Sequence, residues 1–386
     1  MKFLYLLYIF CAVFFASCSV SKQISKQADT ILLNDTAISK GHIGISIYEP
    51  ATNTYWYNYN ATKYFVPASN TKLFTLYAGM KYLGDSLVGL KYENKIGAIN
   101  IFPTGDPTFL HPDFKNQPIF DFLNSKKNTS FCFSYNSSED INTRLESLGN
   151  GWAWNDYNDN YMAERNYFPI YGNVIKFSYD SLIYKKNNLT IKWNVIPKYF
   201  LNYVDTNYTI PFPNIYDSVS LRKKLMNFSI KRNIGSNQVK LIPNNRSFLT
   251  QEIPIYTNQS NVTLDILKKD FGFSIETCRV FAKGRVFPED MRIIHSQPTD
   301  SLFKPMMHRS DNFFAEQTLL MASNEHLGYM SDEKIIDIIL NTDLKDVPQK
   351  PKWVDGSGLS RYNLFTPQSF VYILNKMKNE FGLERI

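Results

Sequence analysis

The period of the apolar residues changes several times along the chain, and each change predicts an element. Ile43, Ile45 and Ile47 alternate with small or polar residues, which predicts a strand. A turn at Glu49-Pro50-Ala51-Thr52-Asn53 and a second run, Tyr55-Trp56-Tyr57, complete a hairpin. Pro67 disfavours helix at Val66, so a helix is predicted to start just after it. Leu73, Leu76, Tyr77 and Met80 then recur at helical spacing, and Ser69 and Lys72 fall three residues apart on that same face. From about 96 to 294 the texture differs: short alternating runs are broken by Asn, Pro and Gly, as in strand-rich inserted material. Helical patterning returns near 295. Thr366 reads as an N-cap with Pro367 at the first helical position. Phe370, Ile373, Leu374, Met377 and Phe381 make an apolar stripe, and Gly382 reads as a C-cap.

Composition narrows the class. A chain of 386 residues has room for two or three domains, and 44% hydrophobic residues is ordinary for a folded protein. The net charge of +7 is spread without a long Lys/Arg block, which argues against a nucleic-acid partner. Lys2 precedes an apolar run from Phe3 to Phe15, too short to span a bilayer comfortably but suited to the core of a signal peptide over residues 1–17. The run ends at Phe15-Ala16-Ser17-Cys18. Either Cys18 is the lipid-bearing first residue of a mature lipoprotein or the leader is an ordinary signal peptide; both readings export the protein to the periplasm or cell envelope. Setting aside Cys11 and Cys18 leaves Cys132 and Cys278, which form either a disulfide or two separate thiols.

Three short motifs carry candidate chemistry. Ser69-Asn70-Thr71-Lys72 matches the Ser-x-x-Lys of serine acyl-transferases, although a capping serine followed by a surface lysine would look the same. Lys72, however, lies on the apolar face of its helix, where burial would lower its pKa and let it act as a base on a serine one turn away. The helix start also offers backbone N–H groups to an oxyanion. Ser310-Asp311-Asn312 matches Ser-x-Asn and doubles as an ordinary helix-capping pattern. Asp355-Gly356-Ser357-Gly358 reads alone as a flexible turn. Competing chemistries find less support. No Gly-x-Ser-x-Gly elbow is present, the five histidines show no metal-ligand spacing, and no phosphate-binding glycine loop appears, so neither metal nor cofactor is expected.

Taken in order and wording, Pro67-Ala68-Ser69-Asn70-Thr71-Lys72, Ser310-Asp311-Asn312-Phe313-Phe314-Ala315-Glu316 and Asp355-Gly356-Ser357-Gly358-Leu359-Ser360-Arg361 resemble the DacB, or penicillin-binding-protein-4, type of D-Ala-D-Ala carboxypeptidase/endopeptidase. Ser69 and Ser310 are 241 residues apart (310 − 69), a longer interval than compact class A β-lactamases have. Gly105-Asp106-Pro107-Thr108 and Gly151-Trp152-Ala153-Trp154-Asn155-Asp156 resemble landmarks of the family's inserted region. The resemblance implies an α/β (α+β) penicillin-binding/β-lactamase-like transpeptidase fold. The peptidase domain would comprise residues 18–95 plus 295–386, with a strand-rich insert over 96–294. It implies Ser69 as nucleophile towards a peptidoglycan stem peptide, Lys72 as general base, Ser310 as proton relay to the leaving amine, and Asn312 as holder of the substrate amide and of Lys72. Asp156, Asp311, Ser357 and Gly358 would be substrate-binding positions, and β-lactam antibiotics would acylate Ser69.

One family element, Lys-Thr/Ser-Gly, occurs nowhere in the 386 residues. The family places it on a strand beyond the Asp355 motif, where it supplies a lysine for the substrate carboxylate and an oxyanion donor. The expectation is therefore an interrupted chain rather than a natural short form. Two functions remain open at this stage: an exported serine DD-peptidase, or an inactive wall-binding lipoprotein that keeps part of the fold. Intact Ser69, Lys72, Ser310 and Asn312 favour the first.

Overall fold

A computed structural model describes residues 20–136, 145–185, 188–204, 210–211, 228–243, 250–281 and 291–386. The apolar leader, Cys11 and Cys18 lie outside the described residues. The strands are β1 (Ile45–Glu49), β2 (Thr54–Tyr59), β3 (Ser86–Lys95), β4 (Ala98–Pro103), β5 (Ser130–Asn136), β6 (Val174–Lys185), β7 (Asn188–Ile196), β8 (Ile210–Pro211), β9 (Phe228–Arg232), β10 (Val239–Pro243), β11 (Thr250–Pro254), β12 (Ile275–Phe281) and β13 (Arg292–Pro298). The α-helices are α1 (Val20–Gln27), α2 (Lys72–Tyr82), α3 (Pro118–Ser125), α4 (Asn261–Phe271), α5 (Thr299–His308), α6 (Asn312–Leu327), α7 (Asp332–Asn341) and α8 (Pro367–Phe381).

The chain divides into two compact units. The first is drawn from Met1–Pro67, Leu340–Trp353 and Tyr362–Ile386. In it β1 and β2 pair antiparallel from Ile45↔Tyr59 to Glu49↔Thr54, so the predicted hairpin forms. Helix α8 packs on β1 and begins as its sequence predicts. The Thr366 hydroxyl accepts from Ser369 N (3.1 Å), the Ser369 hydroxyl accepts from Thr366 N (3.0 Å), and Pro367 occupies the first turn. Ile373 and Met377 bury as expected, whereas Leu374 is exposed, because it sits about 100° round the helix from Ile373. Phe65 and Phe365 form an antiparallel bridge through bonds of 2.8 and 3.0 Å, which ties the end of the hairpin segment to the turn before α8.

The second unit comprises Ala68–Ile339 and Val354–Arg361. Its largest sheet has the order β12-β5-β4-β3-β13, with β4–β5 and β5–β12 parallel and the remaining pairs antiparallel. A second, antiparallel sheet runs β11-β6-β7-β8, and β9 and β10 form a hairpin. Phe109, Phe133 and Phe168 stack in a core that also takes in Ile175, Phe177 and Val195 from the second sheet and Ile266 and Leu267 from α4. Cys132 and Cys278 are joined in a disulfide between the paired strands β5 and β12, which resolves the alternative left open above.

Helices α2, α5 and α6 pack against one another beside the three sequence motifs. Gly79 makes the contact close: a Cβ there would meet the Phe303 ring at 2.5 Å and Thr318 at 2.8 Å. Every residue of α6 from Phe313 to Asn324 is buried. A helix enclosed on all sides shows no apolar stripe, so periodicity says little about it. Its start is nevertheless written in the sequence, since the Asp311 carboxylate accepts from Phe314 N at 3.1 Å.

Non-reducing peptide mapping is expected to recover Cys132 and Cys278 on one cross-linked fragment. Reduction should lower stability by about 2–4 kcal/mol in denaturant unfolding. Free thiols at both positions in protein secreted through an oxidising compartment would contradict this pairing.

Candidate active site

The three motifs, far apart in sequence, converge on one amine. The chain turns from Pro67 into a short 3-10 segment, Ala68–Thr71, which leads directly into α2. Ser69 lies exposed on that segment, while Lys72, one turn on, is 1% exposed. The Lys72 Nζ lies 3.1 Å from Ser69 Oγ, 2.6 Å from Asn312 Oδ1 and 2.8 Å from the Ser357 carbonyl oxygen. Each motif thus contributes one oxygen to the amine. Burial lowers the Lys72 pKa to about 8, against the opposing pull of the carboxylates of Glu316, Asp311 and Asp355.

The geometry matters because an ammonium and an amine use these partners differently. The ammonium has three donors, and all three oxygens can take one. The neutral amine has two N–H donors and a lone pair. The Asn312 Oδ1 and the Ser357 carbonyl oxygen, which can only accept, take the two donors and leave the lone pair for the Ser69 hydroxyl. Asn312 is itself oriented: its Nδ2 donates to the Tyr161 carbonyl at 2.9 Å.

Ser310 stands at the mouth of the site, exposed, with φ +56°. Ala68, beside the other serine, has φ +48°. Two non-glycine residues in the left-handed region, Ser310 itself and the neighbour of Ser69, mark a backbone held against its local preference. A cavity of about 250 Å³ opens here, lined among others by Ser310, Asn312, Tyr161, His111 and Arg309. Asp311 caps α6 and faces Arg309 at 3.7 Å. Asp156 closes a short 3-10 turn, Trp154–Asp156, and is half-buried; its carboxylate hydrogen bond helps push the Tyr161 hydroxyl up to about 12, after burial. His308, at the end of α5, is exposed.

Ser357 and Gly358 reach the site through their backbones. Ser357 offers its carbonyl to Lys72, and its N–H donates to Glu316 Oε1 at 2.8 Å. Gly358, at φ +87°, lies so near the Ala68–Thr71 turn that a Cβ would sit 1.9 Å from the Ala68 carbonyl oxygen. The loop is held by Asp355, whose buried carboxylate accepts from Gly358 N (2.9 Å), Ser360 N (2.6 Å) and Trp152 Nε1 (2.9 Å). Thr75 of α2 adds a 2.6 Å bond to the Gly356 carbonyl. The Gly105 stretch of the middle region is also tied to α6: Gln317 donates to the Gly105 carbonyl at 2.7 Å.

Sequence reasoning gave no role to Glu316, Trp152, Tyr161 or Arg165. The first two stood inside quoted motifs; Tyr161 and Arg165 carried no local signal at all. Among the described residues no group of three or more His, Cys, Asp or Glu side chains is placed to hold a metal ion, and no helix is long and apolar enough to cross a membrane.

Comparison with known families adds the remaining observation. The model of the D-Ala-D-Ala carboxypeptidase 3 (S13) family matches residues 24–384. The chain belongs to that family. Sequence comparison with curated proteins finds no match. Among solved structures, penicillin binding protein 4 (dacB) from Haemophilus influenzae is similar over 88% of this chain and 76% of its own, with a TM-score of 0.61 at 20% identity. The same protein complexed with a β-lactam gives a TM-score of 0.53 at 18% identity, over 89% of this chain and 76% of its own. At such identities the likeness establishes the fold, the mixed α/β penicillin-binding architecture that the motif order implied.

Gly358→Ala is expected to destabilise the protein by about 2 kcal/mol or more, because the new methyl group must push the Ala68 turn aside and adopt a positive φ. Denaturant unfolding reads the loss; a variant as stable as the parent would show that the close approach has slack.

Proposed function

We propose that this protein is an exported serine-type D-Ala-D-Ala peptidase acting on peptidoglycan stem peptides through an acyl-enzyme on Ser69. The observation that carries the reading is the placement of the buried Lys72 amine between Ser69 Oγ, Asn312 Oδ1 and the Ser357 carbonyl. Membership of a D-Ala-D-Ala carboxypeptidase family supports the substrate class.

In this reading neutral Lys72 takes the Ser69 proton as Oγ bonds to the carbonyl carbon between the two D-alanines. The backbone N–H groups at the start of the Ser69 turn stabilise the developing oxyanion. Collapse of the tetrahedral species breaks the C–N bond, and a proton passes through the Ser310 hydroxyl to the departing amine. Water then attacks the Ser69 ester, releasing the shortened peptide as a carboxylate and restoring the serine. Asn312 holds both Lys72 and the substrate amide. Asp156 contacts the stem peptide's amino-bearing side chain, and Asp311, Ser357 and Gly358 shape the binding edge. A β-lactam enters the first half of the cycle and stays as a slowly hydrolysed ester. The leader and Cys18 support export, with Cys18 as the point of lipid attachment. The peptidase domain is assigned to residues 18–95 plus 295–386, with 96–294 as the insert.

Incubation with benzylpenicillin followed by intact-mass measurement should show one penicilloyl adduct, absent from Ser69→Ala. Folded parent protein that takes up no adduct would sink the proposal. The acylation rate should rise with pH as Lys72 loses its proton around 8. It should therefore be roughly a hundredfold lower at pH 6 than on its alkaline plateau, two pH units below such a pKa leaving about 1% free amine. A flat profile between pH 6 and 9 would remove Lys72 from the role of base.

A further inference from the structure

The acyl-transfer scheme leaves one buried ionisable side chain of the site unused. Glu316 lies on α6 one turn beyond Asn312 and is 1% exposed. Its two oxygens face different parts of the fold. Oε1 accepts from the Ser357 N–H at 2.8 Å, and Oε2 lies 3.3 Å from the Arg165 guanidinium. Arg165 is also buried, and it pairs with Asp332 at the start of α7, donates to the Glu146 carbonyl and covers the Trp152 ring. The loop that Glu316 grips is pressed onto α6, since a Cβ on Gly356 would meet the Ala315 carbonyl oxygen at 2.5 Å.

Ser357 is therefore held from both ends of one residue, its N–H by Glu316 and its carbonyl by Lys72. We infer that Glu316 is a positioning residue for Lys72: it fixes the Ser357 carbonyl that takes one Lys72 donor, and it sets a buried carboxylate directly behind that contact. The inference rests on the acyl-enzyme reading above for its catalytic consequence, but the Glu316–Lys72 linkage can be measured without turnover.

Two effects of Glu316 on Lys72 can be separated. The mechanical one is the hydrogen bond to Ser357 N, which a glutamine oxygen could keep. The electrostatic one is the negative charge, which a glutamine removes. Among the carboxylates facing Lys72, Glu316 exerts the largest upward pull on its pKa, ahead of Asp311 and Asp355. The groups facing Glu316 itself are Asp355 from the adjoining loop, Arg165 from the segment after Tyr161, and Asp332 from α7. Burial and Asp355 raise its pKa to about 7, while Arg165 and the Ser357 N–H oppose them. Both Glu316 and Lys72 thus titrate near neutral pH, and the protonation of one bears on the other.

The sign of the linkage follows. Removing the Glu316 charge withdraws an upward influence, so the Lys72 midpoint must fall. A residue that only braced the loop would change stability and leave that midpoint in place. Asp332 offers the contrast, because it shares Arg165 with Glu316 but does not touch Ser357.

The test follows the Lys72 side-chain 15Nζ resonance against pH, assigned by its loss in Lys72→Arg, alongside benzylpenicillin acylation rates and thermal melts. In Glu316→Gln the Lys72 midpoint should move to lower pH by on the order of one unit, the shift expected for loss of a nearby charge. The acidic limb of the acylation profile should move with it. Glu316→Asp keeps the charge but draws the oxygen back from Ser357; it should hold the parent midpoint and lose rate on the plateau. Asp332→Asn should lower the melting temperature and move the midpoint much less than Glu316→Gln does. An unchanged Lys72 midpoint in folded Glu316→Gln would overturn the inference. If Glu316→Gln does not fold, a parent-like plateau rate in Glu316→Asp would do so instead. Failure of the parent to form any adduct would count against the proposed function alone, since the resonance still reports the linkage.

Discussion

A primary amine buried among oxygen acceptors is the constraint around which the second unit is arranged. An unpaired ammonium in that position would be strongly unfavourable, and the fold answers by bringing three oxygens from three distant segments within 3.1 Å of Nζ. Burial then does chemical work, lowering the Lys72 pKa to about 8. Further burial would need further pairing, and the carboxylates of Glu316, Asp311 and Asp355 keep the pKa from falling further. The site sits between these limits.

Holding the oxygens in place requires backbone in uncommon conformations. Ala68 and Ser310 adopt positive φ, and Gly358 fits against Ala68 only because it has no side chain. Strain of this kind persists where the surroundings over-determine the geometry. Here the surroundings are Asp355 with its three N–H donors, Thr75 on the Gly356 carbonyl, and the enclosed helix α6. The same buried carboxylates that order the loop also act on Lys72 through space, so the supports of the site and its electrostatics share atoms.

The middle of the chain has a part in this arrangement. Tyr161 orients Asn312, Trp152 anchors Asp355, and Arg165 pairs with Glu316. Strand β3 ends at Lys95 and pairs with β13, which runs from Arg292 to Pro298, so the large sheet joins segments far apart in the chain. The strand-rich segment therefore reaches the three motifs directly through these side chains, and Leu320 of α6 joins its apolar core.

Local pattern alone determined the hairpin of β1 and β2, the start of α2 after Pro67, the capped start of α8, and the pairing of Ser69 with Lys72 on one helical turn. These are properties of residues within a few positions of one another, where periodicity and capping act. The motif order added the family and the expected fold. Only the tertiary structure decided what the motifs do to one another: that Ser357 and Gly358 act through backbone atoms, that Leu374 faces outward, that Cys132 meets Cys278, and that Glu316 and Arg165 stand behind the site. Contacts between residues more than a hundred positions apart leave no periodic trace. A helix buried on every side, such as α6, leaves none either, because each of its faces is equally apolar and only its packing partners tell them apart.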